Sequence, residues 1–339
     1  MRFDNIAILG LESVDAPHVI SSSQIVKRLA PTFDRFGMRH NLLEEVAGIR
    51  ERRYWDEGFM PSDAATLAGK KVLETSGIDP SRVGIIVNSS VCRDYLEPST
   101  ACIVHGKLEL SPECLNYDLG NACLAFLNAM EMVSSMLEKG SIDYALIVDG
   151  ESCRPVTEAT IERMQKPSIT MEKVRDQFAA LTLGSGSVAM LLGRADQNPD
   201  CAHRYLGGVS IAATQHRDMC RGQMDWMETD TRGLLEAGVE LAGMTWIKAK
   251  REMEWVGDEL DELVLHQVSQ VHTASLIQAL GLDHKKAFLT FPEFGNVGPA
   301  SVPITLSKAI EKGRVKEGSR CALMGIGSGL NCSMAEIVW

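Results

Sequence analysis

Four segments of this chain hold the residue types from which covalent acyl chemistry is built. Cys123 lies in LGNACLAF, residues 119–126, where an extended stretch passes through Gly120 and Asn121 into an apolar helical pattern. A thiol at a strand-to-helix turn sits near a helix N-terminus. There the dipole and free N–H groups favour a thiolate and can supply one donor to an oxyanion. The plain alternative is a small buried helix residue, one of nine cysteines. His266 ends the run LVLHQ, residues 263–267, which places an imidazole at the carboxyl end of a strand, where α/β folds gather active-site groups. His272, six residues on, reads as structural.

Asn296 stands in GNVGPAS, residues 295–301, just before a helix that Pro303 can open. Asn in such a turn either tolerates a left-handed backbone or turns its amide donor toward an oxyanion. GIGSG, residues 325–329, places three glycines around Ser328. It lacks the GxGxxG spacing and the ribose-binding acid of a dinucleotide site, but its glycines let a backbone N–H approach a ligand. Cysteine, histidine and asparagine in this chain order allow two chemistries. One is a papain-like hydrolase, since His266 follows Cys123 by 143 residues, although the Cys-Gly-[Ser/Ala]-Cys-[Trp/Tyr] context is missing. The other is acyl transfer through a thioester with carbon–carbon bond formation, His and Asn stabilising an enolate.

Strand-like runs alternating with longer helical patterns must position these groups, which argues for α/β architecture. The pattern predicts strands at 6–11, 83–89, 144–149, 180–192, 207–213, 262–266, 287–291, 321–325 and 333–338. Helices are predicted at 62–76, 122–139, 231–255, 271–280 and 302–312. Phe126, Ala129, Met130, Val133 and Leu137 fall on one face of the second helix, the signature of core packing. A polar, Pro-containing stretch at 194–203 divides the chain into halves 1–195 and 196–339. An internal echo links the halves: 83–89 followed by 144–150 resembles 262–269 followed by 321–329.

Composition bounds the setting. The 339 residues carry 34 basic and 45 acidic side chains, a formal net charge of −11, and the short KAKR run at 248–251 reads as a solvated helix face. Nucleic acid is therefore not an expected partner. The nine cysteines contain no CxxC and follow no disulfide or zinc spacing, so reduced thiols in a cytoplasm are expected. The apolar stretch at 6–11 is too short for a signal-peptide core, and no segment approaches the roughly 20 apolar residues of a membrane helix.

Together the motifs ACLAF (122–126), LHQVS (265–269), GNVGPAS (295–301) and GIGSG (325–329) resemble the thiolase superfamily, in its ketoacyl synthase III branch. AGIRERR at 47–53 and residues 144–150 are similar to the same branch. YLEPST at 95–100 and GIGSGLNCSM at 325–334 resemble the OleA-type subgroup, which condenses two fatty acyl-CoAs head to head in bacterial long-chain olefin synthesis. The resemblance implies a thiolase fold, five-layered αβαβα from two pseudo-repeated halves, and a homodimer. It implies that Cys123 carries an acyl group, and that His266 and Asn296 bind the second thioester's oxygen and stabilise its enolate. Backbone N–H groups of Cys123 and Ser328 would form the oxyanion hole. Arg50, Gly327 and Gly329 are carried over as coenzyme A or substrate contacts. No metal or separate cofactor is implied, since coenzyme A arrives on the substrates.

Glu97 separates the branches. A decarboxylating synthase gains its carbanion by losing CO₂ from a malonyl group, whereas joining two unactivated acyl-CoAs requires a carboxylate to remove an α-proton. In the resembling family a glutamate at this position reaches the neighbouring subunit's site; the plain alternative is a loop acid before Pro98. Degradative thiolases carry a second cysteine in the Gly-rich turn, where this chain has Ser328, and Cys332 reads as structural. The other elongating synthases use two histidines, where this chain has Asn296. The expected product is a 2-alkyl-3-oxo acid or its CoA ester, passed to downstream olefin-pathway enzymes. The alternatives are a malonyl-ACP-dependent 3-oxoacyl-ACP synthase III and a catalytically silent acyl-binding subunit.

Overall fold

The computed structural model describes residues 1–255 and 259–339. Nine strands form its main sheet: β1 (Ile6–Asp15), β2 (Val83–Asn88), β3 (Leu115–Asp118), β4 (Tyr144–Glu151), β5 (Gly186–Arg194), β6 (Arg204–Ala212), β7 (Glu262–Leu265), β8 (Arg320–Gly327) and β9 (Asn331–Val338). Their order is β7-β8-β9-β6-β1-β5-β4-β2-β3. The junction of β1 with β6 rests on the single pair Ala7 with Arg204, helped by a bridge from Arg2 to Gly207. Two half-sheets therefore meet there, each with its own continuous ladder.

The halves repeat one another. In the first, β2 runs parallel to β4, β4 antiparallel to β5, and β5 antiparallel to β1. In the second, β7 runs parallel to β8, β8 antiparallel to β9, and β9 antiparallel to β6. The echo heard in the sequence thus corresponds to the parallel pair of each half. Among the described residues β3 has no counterpart. The predicted strand at 287–291 is absent, because side chains rather than a neighbouring strand satisfy that backbone: Phe288 N–H donates to Glu262, Thr290 N–H to Gln267, and Gln267 donates to Phe288 O.

Burial sorts the helices into layers. Ala125–Glu138 and Ser301–Glu311 lie at the centre, where Phe126, Met130, Val302 and Leu306 pack with Ile147 of one half-sheet and Leu323 of the other. Pro61–Ser76 and Thr100–Lys107 cover the outer face of the first half through Ala68, Val72 and Val104. Thr231–Glu252 and Gln270–Leu280 cover the second through Leu241, Ala242 and Leu276. Helix, sheet, helix, sheet, helix is the five-layered thiolase arrangement. Helices Ser22–Arg35 and Arg154–Met164 were not legible in the sequence. Pro31 interrupts the first on paper, yet Ser21 and Gln24 close a capping box that starts it firmly. The strand predicted from 180 begins only at Gly186, residues Phe178–Thr182 forming a 3₁₀ turn instead. No helix among the described residues is long and apolar enough to cross a membrane.

Candidate active site

Cys123 sits between β3 and the central helix Ala125–Glu138. Ala122 before it has φ +46°, a left-handed conformation that sharpens the turn and is tolerable for so small a side chain. Asn121 clamps this turn from both halves: its amide donates to Asn128, and its carbonyl accepts from Asn331 at 3.2 Å. The Gly-rich turn after β8 closes against the nucleophile. A Cβ at Gly327 would lie 3.2 Å from the Cys123 nitrogen, so glycine permits the approach. Neither the Cys123 nor the Ser328 N–H meets a backbone acceptor among the described residues.

His266 follows β7 directly, and its N–H donates to Met324 O on β8 at 2.7 Å. The residue is 7% exposed and its Nδ1 has no partner among the described residues. Gln267 beside it is fully buried and anchors the 288–291 segment. Asn296 is fixed by its backbone, N–H to Thr182 O and C=O from Gly184 N–H, each 2.9 Å. Its Oδ1 accepts from Gly298 N–H at 3.0 Å, which leaves the NH₂ as its unused donor.

Two cavities meet at these groups. One, of about 170 Å³, is walled by Cys123, His266, Asn296 and Ser328 with apolar Phe178 and Leu234. The other, of about 670 Å³, also reaches Cys123, Asn296 and Ser328 and extends along Val91–Leu96, Glu151 and Met227. Gly327 lines the first cavity. Gly329, at φ +136°, shapes the turn without lining either. Arg50 is not brought to either cavity; its guanidinium pairs with Glu293 at 2.9 Å on the surface. Glu97 is likewise outside both cavities of its own chain, on an exposed segment before Pro98.

The electrostatics correct one expectation. Burial, foremost, then nearby Cys220 and Glu151, push the Cys123 thiol well above its ordinary value, so the helix dipole does not produce a resting thiolate. Burial, aided by His272, holds His266 down at about 4. At neutral pH the site therefore pairs a thiol with a neutral imidazole, a state in which histidine can donate a hydrogen bond. His272 turns out to line the same cavity, with Nδ1 at 2.9 Å from the Ser269 hydroxyl. Sequence reasoning also missed Cys220 and Glu151. Glu151 ends β4, and the strand-terminus rule that picked out His266 could have found it. All nine cysteines are free thiols.

The fold and the Cys–His–Asn cavity define a ketoacyl synthase III-like enzyme of the thiolase class. The family model for the 3-oxoacyl-[acyl-carrier-protein] synthase III C-terminal region matches residues 251–339. The chain is 52% identical over its whole length to the acyl-CoA:acyl-CoA alkyltransferase of Xanthomonas campestris, covering 100% of both proteins, and 35% identical to that of Shewanella oneidensis, again covering 100% of both. A crystal structure of Xanthomonas campestris OleA bound to cerulenin superposes with a TM-score of 0.98 at 52% identity, covering 100% of this chain and 98% of that one. A cysteine-to-serine variant of the same enzyme, with bound lauric acid and lauroyl-CoA, superposes with a TM-score of 0.97 at 51% identity, covering 99% and 100%. The chain belongs to the acyl-CoA:acyl-CoA alkyltransferase family, the OleA family.

Proposed function

We propose that this enzyme joins two long-chain fatty acyl-CoAs by a non-decarboxylative Claisen condensation. The observation that carries this is the convergence of Cys123, His266, Asn296 and the Ser328 turn on one cavity, in a chain of this family. The Cys123 sulfur attacks the first thioester, the Cys123 and Ser328 N–H groups hold the oxyanion, and CoA leaves with the thiol's proton. The second acyl-CoA then places its thioester oxygen on the His266 and Asn296 donors. Glu97 of the partner subunit removes its α-proton, and the carbanion attacks the acyl carbon. The bond to Cys123 breaks and a 2-alkyl-3-oxoacyl-CoA results, hydrolysed if the product leaves as the acid.

Structures of the Xanthomonas enzyme include substitutions at a glutamate and a cysteine with the same sequence separation as Glu97 and Cys123, and at a histidine within one residue of the Cys123 to His266 separation. This supports the three assignments. The homodimer is supported by β3, whose outer edge lacks a partner in the sheet and exposes Leu115 and Tyr117, and by Leu96, 92% exposed beside Glu97. We divide the chain at 195/196 into the two thiolase halves. We further place the enzyme in the cytoplasm, feeding olefin-forming enzymes, with no cofactor beyond the CoA of its substrates and with Gly327, which lines the cavity, serving the substrate.

The test is incubation with one long-chain acyl-CoA and no malonyl donor. Free CoA and a β-keto product are expected. Product only after malonyl-ACP is added would instead identify a decarboxylating synthase.

A further inference from the structure

We propose that Glu151 is a positioning residue for the second half-reaction: its buried carboxylate fixes the root of segment 91–99, which carries Glu97, and so sets where that base meets the partner subunit's cavity. This rests on the reading of Glu97 as the base. Glu151 is the last residue of β4 and is 1% exposed. Its Oε1 accepts from Val91 N–H at 2.6 Å and its Oε2 from Cys92 N–H at 3.2 Å. Two successive backbone donors, one on each carboxylate oxygen, make a two-point grip that an amide, with a single acceptor oxygen, cannot reproduce. The grip is itself anchored, because Trp55 Nε1 donates to the Glu151 carbonyl at 3.0 Å.

Two further carboxylates pin the segment and the helix start that follows it. Asp94 accepts from the Ser62 N–H and hydroxyl at 2.8 and 2.6 Å, and Asp118 accepts from Thr100 and Ala101 N–H at 3.0 and 2.8 Å. Between these pins only Tyr95, Leu96, Glu97 and Pro98 project as an exposed tip. A general base must reach its proton within hydrogen-bond distance, and misplacement by about 1 Å can cost roughly 100-fold in rate. Fixing the root is thus how a fold makes a projecting base accurate. Glu151 also abuts the turn after Asn296: a Cβ at Gly298 would stand 3.5 Å from Oε1. With both oxygens already accepting, Glu151 is suited to hold rather than to take protons. Burial pushes both Glu151 and neighbouring Asp149 up, Asp149 well above the usual carboxylate range with the charge of Glu151 adding to the shift, while the hydrogen bonds from Cys92 and Val91 oppose the shift on Glu151.

The experiment separates the half-reactions in the full-length enzyme. Acyl label on Cys123 is counted by intact-protein mass, and condensation is expressed per acylated enzyme, which removes any unfolded fraction. Glu151→Gln is expected to acylate within about threefold of the unmodified enzyme, or faster, since Glu151 also holds the Cys123 thiol up. Its condensation should fall by about 10- to 100-fold, and Glu151→Asp should show the same split at smaller size. Added to Glu97→Gln, Glu151→Gln should cost nothing further, because it acts through Glu97. Equal loss of both half-reactions, or losses that multiply with Glu97→Gln, would overturn the proposal. Full-rate condensation by Glu97→Gln alone would overturn the base reading instead, and is recognised before any Glu151 variant is made.

Discussion

Cys123, His266 and Asn296 were legible in the sequence because each lies where a strand or glycine turn hands over to a helix. Such positions collect functional groups whatever the neighbouring elements do. Their protonation was not legible, because burial depends on walls drawn from distant segments such as Phe178 and Leu234. Glu151 escaped notice because it closes an apolar strand that reads as pure core. The depressed His266 has a measurable consequence. Its folded value, about 4, lies below the ordinary 6.5, so the unfolded chain binds more protons between these values and stability falls as pH drops through that window. The loss should approach roughly 3 kcal/mol below pH 4. Denaturant titrations of His266→Asn should show a shallower decline than the unmodified enzyme, and equal slopes would contradict the assigned burial. For Glu97→Gln, condensation should drop by roughly 100- to 10,000-fold while Cys123 still takes its first acyl group. Loss of acylation as well would show a role other than α-proton removal.

Among the elements, the central helix Ala125–Glu138 was the most legible, since its apolar stripe has the helical period and nothing interrupts it. The missing strand at 287–291 illustrates the opposite case: an apolar run whose backbone is claimed by the side chains of Glu262 and Gln267. Phe126 on the central helix is 1% exposed, and Phe126→Ala should cost about 3–5 kcal/mol in unfolding titrations, less if the site collapses around it. Gly184 tests how the Asn296 turn is seated. A Cβ there would stand 1.9 Å from the Phe294 carbonyl oxygen, and the Gly184 N–H holds Asn296 O. Gly184→Ala should therefore lose about 1–3 kcal/mol of stability and weaken condensation together. Normal stability with normal activity would mean that the turn is less tightly seated than its contacts indicate.

At the scale of the molecule, the five layers follow from two repeated half-sheets that each bury one face on a shared pair of helices. The repeat was audible in the sequence through its parallel strand pairs. The single-pair junction of the half-sheets was not, because register between strands 197 residues apart leaves no local mark. Mixed dimers of Cys123→Ala and Glu97→Ala subunits should regain partial activity if the base crosses the interface, and none if it serves its own chain. The central claim is that the carbanion comes from a second acyl-CoA. A single-turnover chase reads it directly: Cys123 is charged with one acyl chain, excess CoA ester is removed, and an acyl-CoA of different length is added without any malonyl donor. The expected result is a crossed 2-alkyl-3-oxo product containing both chains, in an amount matching the acylated enzyme. An acyl-enzyme that persists or only hydrolyses until a malonyl donor arrives would contradict it.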